Sequence, residues 1–378
     1  MPKSILIIGN YGAGNLGDDA ILAGILEELN VIGYKGAIKV THAGVKTSTE
    51  IYKSVQRIPF PPLGIRTKLR NLIRYKLEKS PEKNAFQKAL DESDKVIMGG
   101  GGLFTDSESI KAPFIWAILA RFVLKANKPL LMYGQSVGPI KNPLARLLTR
   151  HVFKRAEIVM VRDRMTKEFL NNLGVSSVLG TDPAVKWVET IRRKIPKKDL
   201  ILVCLRNFPG ISMEWKKMLM KSLKEFANNN DLELCALSMD TREQALYKDK
   251  KNDEYIISRD SIFSPHSATE VLTALQKAKL IVSMRLHGVI LGAYCSTPTL
   301  AISYTNKVKD YFSDLVNSLP ISILEISNLS KDNLSSQIKQ ALGSLYNNAK
   351  KIDGSASKSK KISGGDSINT QILRSFLP

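Results

Sequence analysis

Cysteine, histidine and carboxylate are all scarce in this chain of 378 residues, which has three Cys, four His, and 35 Asp and Glu against 56 Lys and Arg. Cys204, Cys235 and Cys295 lie far apart in apolar surroundings, with no CxxC pair and no histidine at metal-ligand spacing. That excludes a disulfide scaffold and a zinc cluster, and reads as buried thiols. Long hydrophobic runs are missing too. The one early apolar run, Ile5 to Ile8, is too short for the core of a secretory leader, so the expected location is the cytoplasm. The longest apolar stretch, Ala112 to Leu124, contains Arg121 and falls short of the ~20 residues that cross a bilayer. The shortage of acid leaves a net charge of +21. Apolar residues at 43% are ordinary for a globular protein and exclude a largely disordered chain. At roughly 100 to 200 residues per domain, the length predicts two domains.

What is present is alternation. The strand-like runs Ser4 to Ile8, Ala37 to His42, Lys95 to Met98, Pro129 to Tyr133 and Ile158 to Arg162 are each followed by a turn and a helix-compatible stretch, the first of them Asp18 to Asn30. That order predicts βα units and a mostly parallel sheet. The pattern breaks between Lys186 and Asp199, in a run of cations around Pro196, and then resumes with strands Leu200 to Leu205, Leu232 to Ser238, Leu280 to Ser283 and Thr299 to Ser303. The reading is therefore α/β, with two Rossmann-like doubly wound domains facing a central cleft. Their bounds are residues 1–190 and 199–349, followed by a flexible Ser/Lys/Gly-rich linker over 350–365 and a C-terminal helix over 366–378 capped by Asp366.

Several junctions carry chemistry. Asn10 to Asp18 fits G-x-G-x-x-G between a strand and a helix, but the second strand, Lys39-Val40-Thr41-His42, brings no acid for a ribose. A dinucleotide loop, a ligand-free tight turn and an anion pocket at the helix start all remain open. Gly99 to Gly102 follow a strand and suggest close approach of a ligand. Gly134-Gln135-Ser136-Val137-Gly138 has the form of a hydrolase nucleophile elbow, but Pro139 and Pro143 stand where the elbow needs its helix, which leaves Gln135 as the more apt polar contact. Arg162 reads either as a site cation or as the partner of Asp163 or Glu168, and Asp182 either as a site residue or as an Asx turn before Pro183. In Ser283 to Gly288, Arg285 and His287 meet at a strand-to-helix junction, with Lys307 downstream. The imidazole there suits proton transfer, or is satisfied by backbone.

Six segments, in order, resemble the polysaccharide pyruvyl transferase family: GNYGAGNLGDDAIL (Gly9 to Leu22), MGGGGLFTD (Met98 to Asp106), GQSVGPI (Gly134 to Ile140), VRDRMT (Val161 to Thr166), GTDPA (Gly180 to Ala184) and SMRLHG (Ser283 to Gly288). The resemblance spans roughly residues 3 to 310. It implies a GT-B-like pair of domains with the active site in the cleft between them, the acceptor on the N-terminal side and the donor on the C-terminal side. It also implies transfer of pyruvate from phosphoenolpyruvate onto two hydroxyls of one sugar, forming a cyclic ketal and releasing phosphate. In that reaction His287 handles protons, while Arg162, Arg285 and Lys307 hold the donor's phosphate and carboxylate. Asn15, Asp18, Gly100, Gly101, Asp106, Gln135 and Asp182 line the acceptor side. No metal or cofactor is implied, phosphoenolpyruvate being a substrate. The chain departs from the family pattern where the small hydroxyl-bearing residue after the Arg-Asp pair stands as Thr166 behind Met165.

The positive charge fits work on anionic, lipid-linked sugars at the inner membrane face, and Gly64 to Lys79, with Leu69, Leu72, Ile73 and Leu77 on one stripe, is a candidate for peripheral membrane contact. Two other readings stand beside this one. The first is a nucleotide-sugar glycosyltransferase of GT-B architecture. The second is a basic nucleic-acid-binding protein, against which the absence of a helix-turn-helix or aromatic RNA-binding motif counts.

Overall fold

A computed structural model describes residues 3–44, 50–61, 81–107, 109–205, 213–240, 262–304, 306–312, 315, 318–326, 331–354 and 367–377. The backbone packs as two compact units. Unit 1 comprises residues 1–13, 21–183 and 366–378, and unit 2 comprises residues 14–20 and 184–365.

Unit 1 holds seven parallel strands, β1 (Ile5–Ile8), β2 (Ile38–His42), β3 (Gln56–Pro59), β4 (Lys95–Phe104), β5 (Leu130–Val137), β6 (Ile158–Val161) and β7 (Val178–Leu179), in the order β3-β2-β1-β4-β5-β6-β7. Its crossovers run through α1 (Leu16–Val31), α2 (Pro81–Asp91), α3 (Ala112–Lys125), α4 (Pro143–Arg155) and α5 (Arg164–Asn172). A parallel sheet is covered on both faces, which is why its strands read as unbroken apolar runs; every residue of β1 and β5 is buried. Phe86, Trp116 and Phe153 from the helices close over Leu6, Met98 and Met132.

Unit 2 repeats the plan with α6 (Ala184–Ile191), β8 (Lys198–Cys204), α7 (Met213–Asn228), β9 (Glu233–Leu237), β10 (Ile262–Phe263), α8 (Ala268–Lys277), β11 (Ala278–Ser283), α9 (Leu286–Tyr294), β12 (Thr299–Ser303), α10 (Asn306–Phe312), β13 (Ile321–Glu325) and α11 (Lys331–Gly354). Among the described residues its six parallel strands lie in the order β10-β9-β8-β11-β12-β13. Leu219, Leu223, Leu334 and Ile338 pack on Ile201, Val203, Leu280 and Val282. In each sheet the order reverses once, at β1/β4 and at β8/β11, and such switch points open a crevice at the carboxyl edge.

The structure redraws four details. Gly99 to Gly102, read as following the strand that ends at Met98, belong to β4 itself, where Gly99 pairs with Tyr133 and Gly101 with Gln135. Helix α6, placed by sequence at the end of the first domain, packs on α9 in unit 2, where Arg192 donates to the Tyr294 carbonyl at 3.2 Å and Gln276 donates to the Arg193 carbonyl at 3.3 Å. Gly14–Ala20 also groups with unit 2, because the Leu16 N–H donates to the Met239 carbonyl at 3.0 Å and Asn15 bridges Asp240. The first residues of the stretch read as a linker, 350–354, continue α11, and the rest of it lies outside the described residues, as do the candidate membrane segment 64–79 and Asp366. The thiols differ among themselves: Cys204 is buried, Cys235 and Cys295 are half-buried, and all three are free of disulfides.

The final helix, α12 (Ile368–Phe376), returns to unit 1. Ser367 caps it, its side chain accepting from the Thr370 N–H at 3.1 Å. Phe376 is buried with Ile372 and Leu373, and the Lys95 ammonium lies 4.8 Å from the centre of its ring. Thr370 donates at 2.5 Å to the carboxyl of Glu28 on α1, both groups being about 1% exposed. Thr370→Val removes a donor from that buried carboxyl without changing the volume. The expected loss is about 1–3 kcal/mol of unfolding free energy, read as a lower urea midpoint at unchanged slope.

Candidate active site

In unit 2, β11 ends at the switch point, where the Met284 N–H donates to the Cys204 carbonyl of β8 at 2.9 Å. Ser283 then shapes the exit. Its hydroxyl accepts from the Arg285 N–H at 3.0 Å and donates to the Arg285 carbonyl at 2.9 Å, holding Arg285 extended as the residue that opens α9. Gly288 permits this, because a Cβ there would collide with the Ser283 hydroxyl. The Arg285 charge reaches Cys204: burial pushes that thiol up to about 12, and the guanidinium acts against the shift.

His287, one residue inside α9, is partly exposed, and the backbone of Gly14–Ala20, a loop end running into the first turn of α1, lies against its ring at Gly17. A Cβ on Gly17 would overlap the imidazole at Nδ1 and Cγ. The loop is held in that position by its own side chains. Asn15 accepts from the Gly17 N–H at 3.1 Å and donates to the Asp18 carboxylate at 3.0 Å, while the Leu16 N–H and Asn15 tie it to Met239 and Asp240. Asn15, Asp18, Asp240, Ser283, Arg285 and His287 thus share one corner of unit 2. The glycine pattern gains a physical account from this. Gly12 and Gly14 take positive φ of 63° and 99°, Gly12 lies against His42, and Gly17 lies against His287. Burial and the nearby Arg57 charge hold the His42 pKa below the usual imidazole value.

Unit 1 gathers a second constellation at the carboxyl edges of β5 and β6. The Arg162 guanidinium bonds the Asp182 carboxylate through Nη1 at 2.5 Å and the Ser136 hydroxyl through Nε at 2.9 Å, with its side chain only 3% exposed. Ser136 bonds Asp163 in turn, and Asp163 caps α5 by accepting from the Thr166 N–H at 2.7 Å. Thr166 is free of the capping role and accepts from the Val137 N–H at 3.0 Å. Of the partners sequence reading left open for Arg162, neither Asp163 nor Glu168 is the one: a buried bridge to Asp182 is. Asn369 of α12 fastens the neighbouring residue, accepting from the Thr181 N–H at 2.9 Å and donating to its carbonyl at 3.1 Å.

The remaining expected residues are tied within unit 1. Gln135 is fully buried and donates to the Met98 and Gly99 carbonyls at 2.8 and 3.0 Å. Asp106 accepts from the Lys141 and Asn142 N–H groups and fixes the approach to α4. Gly100 lets β4 and β5 close together, since a Cβ there would stand 2.6 Å from the Gly134 carbonyl oxygen, and Gly101 has φ of 103°. Lys307 lies on α10, and its side chain is outside the described positions. Among the described residues no group of three His, Cys, Asp or Glu is arranged to hold a metal ion, and no helix is long and apolar enough to cross a membrane. Sequence reading passed over Asp240, Ser283 and Asn369. Asp240 follows a strand's carboxyl end and Ser283 stands inside a segment already singled out, so both were findable. Asn369 lies 188 residues from Thr181 and had no local signal.

Residues 15–306 match the family model of polysaccharide pyruvyl transferase. The chain belongs to that family. The matched span contains the whole Asn15–Asp18 loop and the Arg285–His287 junction, and ends one residue before Lys307. Among relatives of this pyruvyl transferase family member, the amylovoran biosynthesis protein AmsJ of Erwinia amylovora is 22% identical, over 98% of this chain and 99% of its own. Solved structures of the same GT-B type include the UDP-GlcNAc 2-epimerase of Methanocaldococcus jannaschii (TM-score 0.59, 14% identity, 98% of both chains) and Anabaena Alr3699/HepE, solved with UDP and glucose (TM-score 0.55, 12% identity, 99% of both chains). At such identities the likeness is one of fold.

Two outcomes follow from these contacts. Gly17→Ala should leave the protein folded yet displace the imidazole, seen as a changed His287 ring signal in NMR spectra. Asp182→Ala takes the countercharge from a buried guanidinium and should cost about 3–5 kcal/mol in denaturant unfolding, whereas Arg162→Met with Asp182→Leu should recover most of that loss.

Proposed function

We propose that this protein transfers pyruvate from phosphoenolpyruvate to two hydroxyls of a sugar destined for a cell-surface polysaccharide, closing a cyclic ketal and releasing phosphate. The observation that carries the reading is the Arg285–His287 junction at the switch point of the second sheet, with the Asn15–Asp18 loop seated on the imidazole, all within the span that matches the family model. The donor bears a phosphate and a carboxylate, and arginine meets such groups through paired N–H bonds. Arg285 and Lys307 are assigned to them. Arg162, in unit 1, has its guanidinium engaged by Asp182 and Ser136.

His287 gives its proton to C3 of the enol, and positive character develops at C2. The first sugar hydroxyl adds there and passes its proton to the now neutral imidazole. Phosphate departs with the C2–O bond electrons and the imidazolium proton, and the second hydroxyl closes the ring and returns its proton to the imidazole, so two new C–O bonds and one C–H bond replace the phosphoenol linkage and the C=C bond. Asn15 and Asp18 offer the hydrogen-bond acceptors that orient the hydroxyls. The acceptor is assigned to the lipid-linked precursors of such polysaccharides. No metal or further cofactor enters.

The test is to incubate the protein with phosphoenolpyruvate and a panel of lipid-linked or nitrophenyl sugars, following inorganic phosphate and an acid-labile mass gain on the sugar. His287→Ala should abolish both, and undiminished turnover would remove it from the mechanism. Arg285→Lys should raise KM for phosphoenolpyruvate about 10- to 100-fold, the worth of one or two charge-assisted hydrogen bonds. Release of UDP or GDP from a nucleotide sugar, with no phosphate from phosphoenolpyruvate, would instead favour a glycosyltransferase.

A further inference from the structure

The two helices that flank β5 on unit 1, α3 and α4, pack against each other and carry no carboxylate at all. Their basic residues are Arg121 and Lys125 on α3 and Arg146, Arg150, Lys154 and Arg155 on α4, all exposed. Exposed apolar side chains stand among them: Ile110, just ahead of α3, is 68% exposed, and Leu144 and Leu147, one turn apart on α4, are 43% and 57% exposed. Lone exposed leucines need no explanation, but these three share one end of the helix pair. The approaches to both helices are bonded together there, Asp106 accepting from the Lys141 and Asn142 N–H groups and Thr105 donating to the Pro139 carbonyl. Lys111 and Lys141 flank the apolar group. Farther along α4, burial, with the charges of Arg155 and Arg121, holds the His151 pKa below the usual imidazole value.

We infer that the α3–α4 face of unit 1, with Ile110, Leu144 and Leu147 as apolar anchors among the cations of two helices that carry no carboxylate, is a contact surface for an anionic lipid bilayer. The chemistry on the page selects this occupant. Exposed cations gain about 1 kcal/mol each near an anionic leaflet, and leucines at their centre enter the acyl boundary, whereas the leucines offer nothing to a nucleic-acid phosphate backbone. A protein partner or second copy would need an apolar patch of far more than three side chains. This inference stands on the surface alone and does not require the pyruvyl chemistry, although a lipid-linked acceptor would make such contact useful.

The test is flotation of the full chain with vesicles of phosphatidylcholine, with and without phosphatidylglycerol. Binding is expected only to the anionic vesicles, weakening as salt rises. Leu144→Asp with Leu147→Asp should weaken it at least about tenfold, and Arg121→Glu with Arg155→Glu should do likewise and reduce the salt dependence. Absence of wild-type binding, equal binding to neutral vesicles, or unchanged binding in both double variants would overturn the inference. So would tight duplex-DNA binding that the arginine changes remove and the leucine changes leave intact. Phosphate release with a soluble acceptor should stay at the wild-type rate in the leucine variant, so the membrane and pyruvyl readings fail separately.

Discussion

The seat of His287 depends on the absence of one carbon atom. The Gly14–Ala20 loop lies directly on the imidazole, and any side chain at position 17 would occupy the volume the ring fills. Everything else in that corner serves the same contact. Asn15 folds the loop through the Gly17 N–H and Asp18, Leu16 and Asn15 fasten it to the end of β9, and Ser283 fixes the turn from which α9 departs. The Gly17 backbone thus limits the positions open to the His287 ring on that side.

Unit 1 uses its carboxyl edge differently. Arg162 and Asp182 are withdrawn from water and satisfied by each other, by Ser136 and, through Asp163, by the cap of α5. A buried pair of this sort contributes little net stability, since desolvation offsets the attraction, but losing either partner is costly. Its value is geometric, because it locks three successive strand ends in register. The C-terminal helix extends the lock, with Asn369 on Thr181 and Thr370 on Glu28. Residues at the far end of the chain thereby hold the loop that carries Asp182.

Much of the fold was legible in the residues. Strands buried on both faces announce themselves as Ile5–Ile8 or Leu130–Tyr133, and the helices between them follow by alternation. The extension of β4 through four glycines was not legible, because glycine has no side chain to report on and argues for a turn on propensity alone; the pairing with β5 overrides that preference. Unit membership was hidden for a related reason. Helix α6 and the Gly14–Ala20 loop are covalently continuous with unit 1, and their allegiance is decided by contacts with Tyr294, Met239 and Asp240 that no local pattern encodes. At the site, Arg285 and His287 were readable as a guanidinium and an imidazole at a strand-to-helix junction. That Asn15 and Asp18 belong beside His287 was not, since they are some 270 residues away in the chain.

The distribution of charge adds a final constraint. Where carboxylates are short by 21 against the cations, each acid buried in the interior removes one more from the surface, and Asp18, Asp19, Glu28, Asp182 and Asp240 are all nearly inaccessible. Among the described residues only Lys39 and Arg162 are as deeply buried on the cationic side, so the described exterior gains positive charge relative to the described composition. Excess of one sign repels itself and weakens the compact state. Its persistence on α3 and α4, where no acid is interleaved even at helical spacing, argues that this excess is offset by something outside the chain rather than within it.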